Sequence, residues 1–193
     1  MEMTKIGVFE TDLDTSYYRK KILKNESKII KKYPPVDFNG VVSDGQTGLG
    51  THSLTSRYFN CKLLTWFGTR SVRKWIRKSY DRYTDTENSP LYVMCWANVM
   101  RKGEKISPHI HSPNPLHLSG NISIYTDEKT NTYYEGDAIE NTPGRLVLFP
   151  SNVAHWTDTY TGDSERITIA FDIVTYYDWK HMPDDAKPNW TKI

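Results

Sequence analysis

Pro108-His109-Ile110-His111 is the stretch on which the fold is read. It is answered by Phe149-Pro150-Ser151-Asn152-Val153-Ala154-His155, and then by Arg166-Ile167-Thr168. On an extended chain, residues two apart point to one face, so His109 and His111 project together. We take Thr161-Gly162-Asp163 as a tight hairpin turn of the kind glycine permits. That hairpin would set Thr168 opposite His155, with Arg166 about 7 Å further along the same face. Three imidazoles that can converge, beside a guanidinium one small dicarboxylate away, predict a metal site with an anion clamp.

Outward from this stretch the texture is that of a β protein. Leu91 to Met100 is almost wholly apolar, short and punctuated at both ends, which predicts a strand buried on both faces. Short candidate strands follow at Lys105–His111, Leu118–Thr126, Thr132–Glu135, Arg145–Phe149, Val153–Thr157 and Glu165–Ile173. Turn residues separate them, among them Ser112-Pro113-Asn114-Pro115, Glu135-Gly136-Asp137 and Thr142-Pro143-Gly144. Strands at this spacing, with no helix between them, predict a mainly β fold of the sandwich or jelly-roll kind.

The N-terminal half reads differently. Lys5 to Glu10 alternates as a short strand. Asp14, Thr15 or Ser16 can cap a helix with Tyr18, Ile22, Ile29, Ile30 and Tyr33 on one side, ended by Pro34-Pro35. Thr69 can cap a second helix with the stripe Val72, Trp75, Ile76, Tyr80 and Tyr83, and its other face is strongly basic. Between them, Asp37 to Thr55 is polar and glycine-rich, and reads as either a plain loop or a lid. Residues 1–90 are thus expected to be helix and loop, 91–173 the β core and 174–193 a tail, within a single domain spanning 1–193.

Composition narrows the function. Lys+Arg 25 against Asp+Glu 23 gives a formal charge of +2, which argues against a nucleic-acid partner or an anionic membrane surface. The two cysteines, Cys61 and Cys95, lie among apolar neighbours and suggest a reducing compartment. Met1 to Glu10 lacks the apolar core of a signal peptide, and no run approaches a membrane span. A cytoplasmic protein is expected.

Imidazoles suit iron, zinc, copper or nickel, and fewer than four protein ligands leave room for water or substrate. Arg166 can grip a carboxylate with two parallel hydrogen bonds. The competing reading of Arg166 is a salt bridge to Glu165 or Asp172. His52, His117 and His181 are read as ordinary surface or core histidines.

Several stretches resemble the iron(II)- and 2-oxoglutarate-dependent oxygenases. They are Trp96-Ala97-Asn98-Val99, Pro108 to His111, Leu118-Ser119-Gly120, Pro143-Gly144, Leu148 to Ser151, His155 and Arg166 to Phe171. The prolyl-hydroxylase-like branch common in bacteriophages and marine bacteria is the most similar, so a phage-encoded protein acting in the host cytoplasm is also expected. The resemblance covers 91–173. It implies a double-stranded β-helix (a jelly roll, cupin-like) with N-terminal helices packed on one sheet. It also implies Fe(II) on His109 and His155, with the distal carboxylate of 2-oxoglutarate on Arg166 supported by Thr168. Molecular oxygen would be consumed and a small-molecule or peptidyl substrate hydroxylated, with succinate and CO2 released.

The sequence departs from that pattern in two places. The wider superfamily carries a carboxylate two residues after the first histidine; here that position is His111, taken as the third ligand. A neutral ligand leaves the metal one charge unit more positive. Asp158 could instead supply the carboxylate, or the metal could have two protein ligands. The second departure is Asn121-Ile122-Ser123-Ile124-Tyr125, where tyrosines are usual nearer the glycine. Asn121, Ser123 and Tyr125 would share a face, making Tyr125 a candidate hydrogen-bond partner of 2-oxoglutarate. Asn121 and Trp156 are candidates for touching the substrate. Two other readings stay open: a cupin-like three-histidine metalloprotein that does not use 2-oxoglutarate, and a catalytically silent jelly-roll binding module.

Overall fold

A computed structural model describes residues 6–38, 41–43, 49–86 and 89–193. Strand β1 (Gly7–Glu10) leads into helix α1 (Thr15–Lys32). Asp14 caps this helix by accepting from the Tyr17 amide at 2.9 Å, and the chain turns extended at Tyr33, before the two prolines. The short strands β2 (Val36–Phe38) and β3 (Val41–Ser43) pair within the stretch expected to be a loop. Of the rest of that stretch, residues 39–40 and 44–48, with three of the glycines expected to form a lid, lie outside the described residues. The one-turn helix α2 (Tyr58–Cys61) and the helix α3 (Arg70–Thr84) complete the N-terminal half. Thr69 does not cap α3 with its side chain. Its hydroxyl donates backwards, to the carbonyls of Leu64 and Trp66, because the preceding turn already presents two unsatisfied acceptors there.

Seven of the eight remaining strands follow in order: β4 (Leu91–Met100), β5 (Leu118–Tyr125), β6 (Asn131–Tyr134), β7 (Asp137–Glu140), β8 (Arg145–Pro150), β9 (His155–Thr157) and β10 (Arg166–Thr175). A short helix α4 (Tyr176–Lys180) and the strand β11 (Thr191–Lys192) end the chain. The large antiparallel sheet has the order β1-β8-β5-β10-β4-β11, and the small one β7-β6-β9. This is a mainly β jelly roll with helices packed on its large sheet.

Strands β4 and β10 show why the central run is apolar throughout. The Ile167, Ile169, Phe171 and Ile173 side chains join the core shared with α1 and α3, through Tyr18, Ile22, Val72 and Ile76. The alternate residues Arg166, Thr168, Ala170, Asp172 and Val174 line a cavity on the other side. The same split runs along β4, where Val93, Cys95 and Val99 are core and Met94, Trp96 and Asn98 line the cavity. Both faces are covered, so alternation of polarity is lost everywhere except at the cavity.

Two sequence expectations fail here. Lys105–His111 forms no strand; it is held by a single bridge between His109 and His155. The hairpin expected to set Thr168 opposite His155 does not exist. Strand β9 pairs with β6, whereas β10 pairs with β4 and β5, so the chain crosses from one sheet to the other between Thr157 and Arg166. Tyr160 anchors that crossing, its amide donating to Glu104 and its carbonyl accepting from Gly103. The tail also has structure: β11 extends the large sheet alongside β4, and Trp190 and Met182 line the cavity.

Candidate metal centre

His109 stands on the loop before β5, His111 two residues on, and His155 at the start of β9. The bridge between His109 and His155 brings the two segments together, each amide donating to the other's carbonyl at 3.3 and 3.1 Å. The Ser151 carbonyl accepts from the His111 amide at 2.9 Å and so fixes the third ring's backbone. One nitrogen from each of the three rings lies within 4.8 Å of the other two.

The outer nitrogens decide which atoms face inward. His109 Nδ1 donates to the Ser107 carbonyl at 2.8 Å, His155 Nδ1 to the Val153 carbonyl at 3.2 Å, and His111 Nδ1 to Asp172 Oδ1 at 2.6 Å. With an oxygen acceptor opposite each Nδ1, each ring carries its proton there and turns Nε2 inward as an acceptor. The Nε2 atoms of His109 and His111 are 3.3 Å apart. Two acceptors at that separation repel unless a cation lies between them. Burial, then the neighbouring His111 and His109, hold the His155 imidazole well below its ordinary pKa, so it is neutral, as a metal ligand must be. The donor set therefore fits a divalent transition metal, and three protein ligands leave positions open for small ligands.

Arg166, 3 % exposed, lines the same cavity. Its Nη2 donates to Thr132 Oγ1 at 3.0 Å, and its Nε has no acceptor among the described residues. Burial lowers its pKa to about 10, which still leaves it charged at neutral pH. Neither carboxylate proposed as its partner takes it: Glu165 pairs with Arg19 at 2.6 Å and Asp172 with His111. A buried cation without a counter-charge is costly, and a carboxylate ligand would remove that cost. Thr168 lies two residues along β10, its hydroxyl accepting from Asn98 Nδ2 at 3.4 Å, and Asn98 in turn accepts from Thr55 at 2.7 Å.

The cavity holds about 460 Å³. Its lining includes the polar side chains of Arg166, Thr132, Thr168, Asn98 and Asn121 and the large apolar ones of Tyr58, Phe59, Trp96, Met182 and Trp190. Asn121 and Trp156, expected to touch the substrate, both line it. Asn121 donates to the Tyr134 hydroxyl at 3.0 Å and has its own amide oxygen buried without a donor among the described residues. Tyr125 is not brought to the cavity. A bulge at Ile124 breaks the register, so that Ser123 pairs with Thr168 but Tyr125 pairs with Ile167, which faces the opposite side. The Arg19 guanidinium lies 3.3 Å over the Tyr125 ring instead. Asp158, the alternative carboxylate, accepts from the Tyr133 hydroxyl and stands outside the histidine group. Thr132 was not foreseen, because a short polar strand carries no signal of its own. The basic face of α3 is partly used inside the molecule, where Arg73 donates to the Leu64 carbonyl and Arg77 to the carbonyls of Ser89 and Ile193.

Residues 126–172 match the family described as "Putative 2OG-Fe(II) oxygenase". Comparison with curated proteins gives no match. Among solved structures, a Pseudomonas putida prolyl-4-hydroxylase aligns over 87% of this chain and 91% of its own, with TM-score 0.54 and 11% identity. The viral collagen prolyl hydroxylase of Paramecium Bursaria Chlorella virus-1, in its 2OG complex, aligns over 88% and 96%, with TM-score 0.55 and 10% identity. The non-heme alpha ketoglutarate dependent carbocyclase SnoK from nogalamycin biosynthesis aligns over 89% and 79%, with TM-score 0.60 and 12% identity. At such identities the likeness is one of fold. The family match spans the strands that carry His155 and Arg166, and these solved structures share the fold of the chain.

Proposed function

We propose that His109, His111 and His155 hold iron(II), that Arg166 receives the distal carboxylate of 2-oxoglutarate, and that a substrate against the aromatic side chains of the cavity is hydroxylated. The overall change converts a C–H bond, 2-oxoglutarate and O2 into a C–OH group, succinate and CO2. The observation that carries this reading is Arg166: a fully buried guanidinium, without a carboxylate partner among the described residues, in the same cavity as three converging imidazoles.

Bound iron and its keto-acid cosubstrate supply the activation of oxygen. The chain supplies position. Arg166 would meet the carboxylate with its planar fork, Thr132 keeping that fork in plane through Nη2. The Thr168 hydroxyl, held through Asn98 and Thr55, would donate to the same group. The apolar walls from Tyr58 to Trp190 would exclude water and orient an uncharged part of the substrate. The two cysteines are unpaired and buried, which supports a reducing compartment, and no helix among the described residues is long and apolar enough to cross a membrane.

The test is iron-dependent turnover. Protein loaded anaerobically with iron(II) should, on admission of oxygen, convert 2-oxoglutarate to succinate, slowly without substrate and faster with it. No succinate above an iron-only blank would reject the reading. The absent first-position carboxylate favours one rival, a three-histidine metalloprotein that ignores 2-oxoglutarate; an Arg166→Ala protein with undiminished oxygen chemistry would favour that rival.

A further inference from the structure

The three imidazoles are not backed alike. His109 and His155 each lean on a neutral carbonyl two residues upstream, Ser107 and Val153. His111 leans on a carboxylate, Asp172 Oδ1, at 2.6 Å, with the two side chains 12% and 14% exposed. That carboxylate is itself held. The Ser119 hydroxyl donates to the same oxygen at 2.6 Å and shares a hydrogen bond of 2.8 Å with the Ser151 hydroxyl. Ser119 is the cross-strand partner of Asp172 between β5 and β10, and both serines are buried. Ser151 also accepts the His111 amide, so the chain His111, Asp172, Ser119, Ser151 closes on itself.

We propose that Asp172 is a positioning residue for His111, supplying from behind the ring the negative charge that the sequence lacks at the ligand position itself. The inference rests on the metal-centre reading above. It follows from geometry in three steps. A carboxylate accepting from Nδ1–H fixes the tautomer that leaves Nε2 to bind a metal. The serine pair prevents the carboxylate from swinging away and fixes the ring plane. A charged partner polarises the imidazole more than a carbonyl does, making His111 the strongest donor of the three. The centre thereby recovers, across one ring, the single negative charge of a two-histidine, one-carboxylate set. His111, the departure at the ligand position, and Asp172, six residues beyond Arg166, act as one unit.

The experiment measures metal binding and not turnover. Cobalt(II) is titrated anaerobically, by calorimetry and visible absorption, into the wild type, Asp172→Asn, His111→Ala and the double variant. Asparagine keeps an acceptor for Nδ1–H and removes only the charge. The expected result is one cobalt per wild-type chain, weakened by roughly 10- to 100-fold in D172N with a changed ligand-field spectrum. In the His111→Ala background the Asp172→Asn change should have no further effect. For iron, D172N should shift the Fe(III)/Fe(II) potential upward. Wild-type protein that binds no metal would sink the metal centre itself. Wild-type protein that binds cobalt as tightly as D172N, or a D172N penalty that persists without His111, would sink the role of Asp172 alone. Should D172N not fold, Ser119→Ala, which removes one hydroxyl behind the carboxylate, should show a smaller loss in the same direction; unchanged affinity there would count against the proposal.

Discussion

At the scale of single residues, the site was legible where chemistry and spacing agree. His109 and His111 come together even though no strand forms around them, because the bridge at His109 and the hydrogen bond from the His111 amide to Ser151 hold that segment. For Arg166, a guanidinium on an otherwise apolar strand signals a need for a partner, and its burial in the cavity without a carboxylate among the described residues supports the proposed anion clamp. Asp172 was legible only as a possible partner for Arg166; that it turns to His111 depends on which face of which sheet meets it, a tertiary fact. Arg166→Ala should leave iron binding intact and weaken 2-oxoglutarate by at least 100-fold, since removing one member of a buried charge pair costs about 3–5 kcal/mol. Arg166→Lys should restore little of it, because an ammonium lacks the planar fork. Equilibrium binding under argon checks both, and a loss under tenfold for Arg166→Ala would mean that the carboxylate sits elsewhere.

At the scale of elements, alternation was a good guide until a bulge or a sheet crossing intervened. Placing Asn121, Ser123 and Tyr125 on one face counts residues correctly but misses the extra residue at Ile124, which no local sequence signal marks. The same applies to the missing hairpin: a glycine-bearing turn does not say whether the chain returns to its own sheet or crosses to the other. Tyr125→Phe should therefore change 2-oxoglutarate affinity less than twofold, and a tenfold loss would contradict the placement of Tyr125 under Arg19. Gly120 offers a second check. A Cβ there would come within 2.5 Å of both the Phe171 ring and the Val147 carbonyl oxygen. The carbonyl belongs to a neighbouring strand and cannot rotate aside. Gly120→Ala should cost about 1–3 kcal/mol in denaturant unfolding; a neutral result would mean β5 and β8 separate more easily than their pairing implies.

At the scale of the whole molecule, the regularly spaced short β segments were enough to indicate a sandwich or jelly roll, whereas helices packed on one sheet were implied only by the family resemblance. The order of strands within each sheet was not legible, because apart from the β2–β3 and β6–β7 hairpins the pairings join segments far apart in the chain. Two-sided burial has a consequence for pH. Burial pushes the Cys61 thiol up to about 12 and the Cys95 thiol well above its ordinary value, and it raises Tyr58 and Tyr134 likewise. In the unfolded chain the thiols ionise from about pH 8.5 and the tyrosines from about 10. Above those values the folded state holds more protons than the unfolded one, so stability falls as pH rises. It should be at full strength below about pH 8.5 and drop by roughly 1 kcal/mol per thiol for each further unit. Urea unfolding at intervals between pH 7.5 and 10 measures this, and a flat profile would show that the thiols are not enclosed. The single claim beneath all three scales is that one cavity joins the imidazoles to Arg166. Calorimetric titration of 2-oxoglutarate under argon, into protein with and without iron(II), tests it most directly. One equivalent should bind, markedly tighter with the metal present; equal binding with and without iron, or none in the iron-loaded protein, would contradict it.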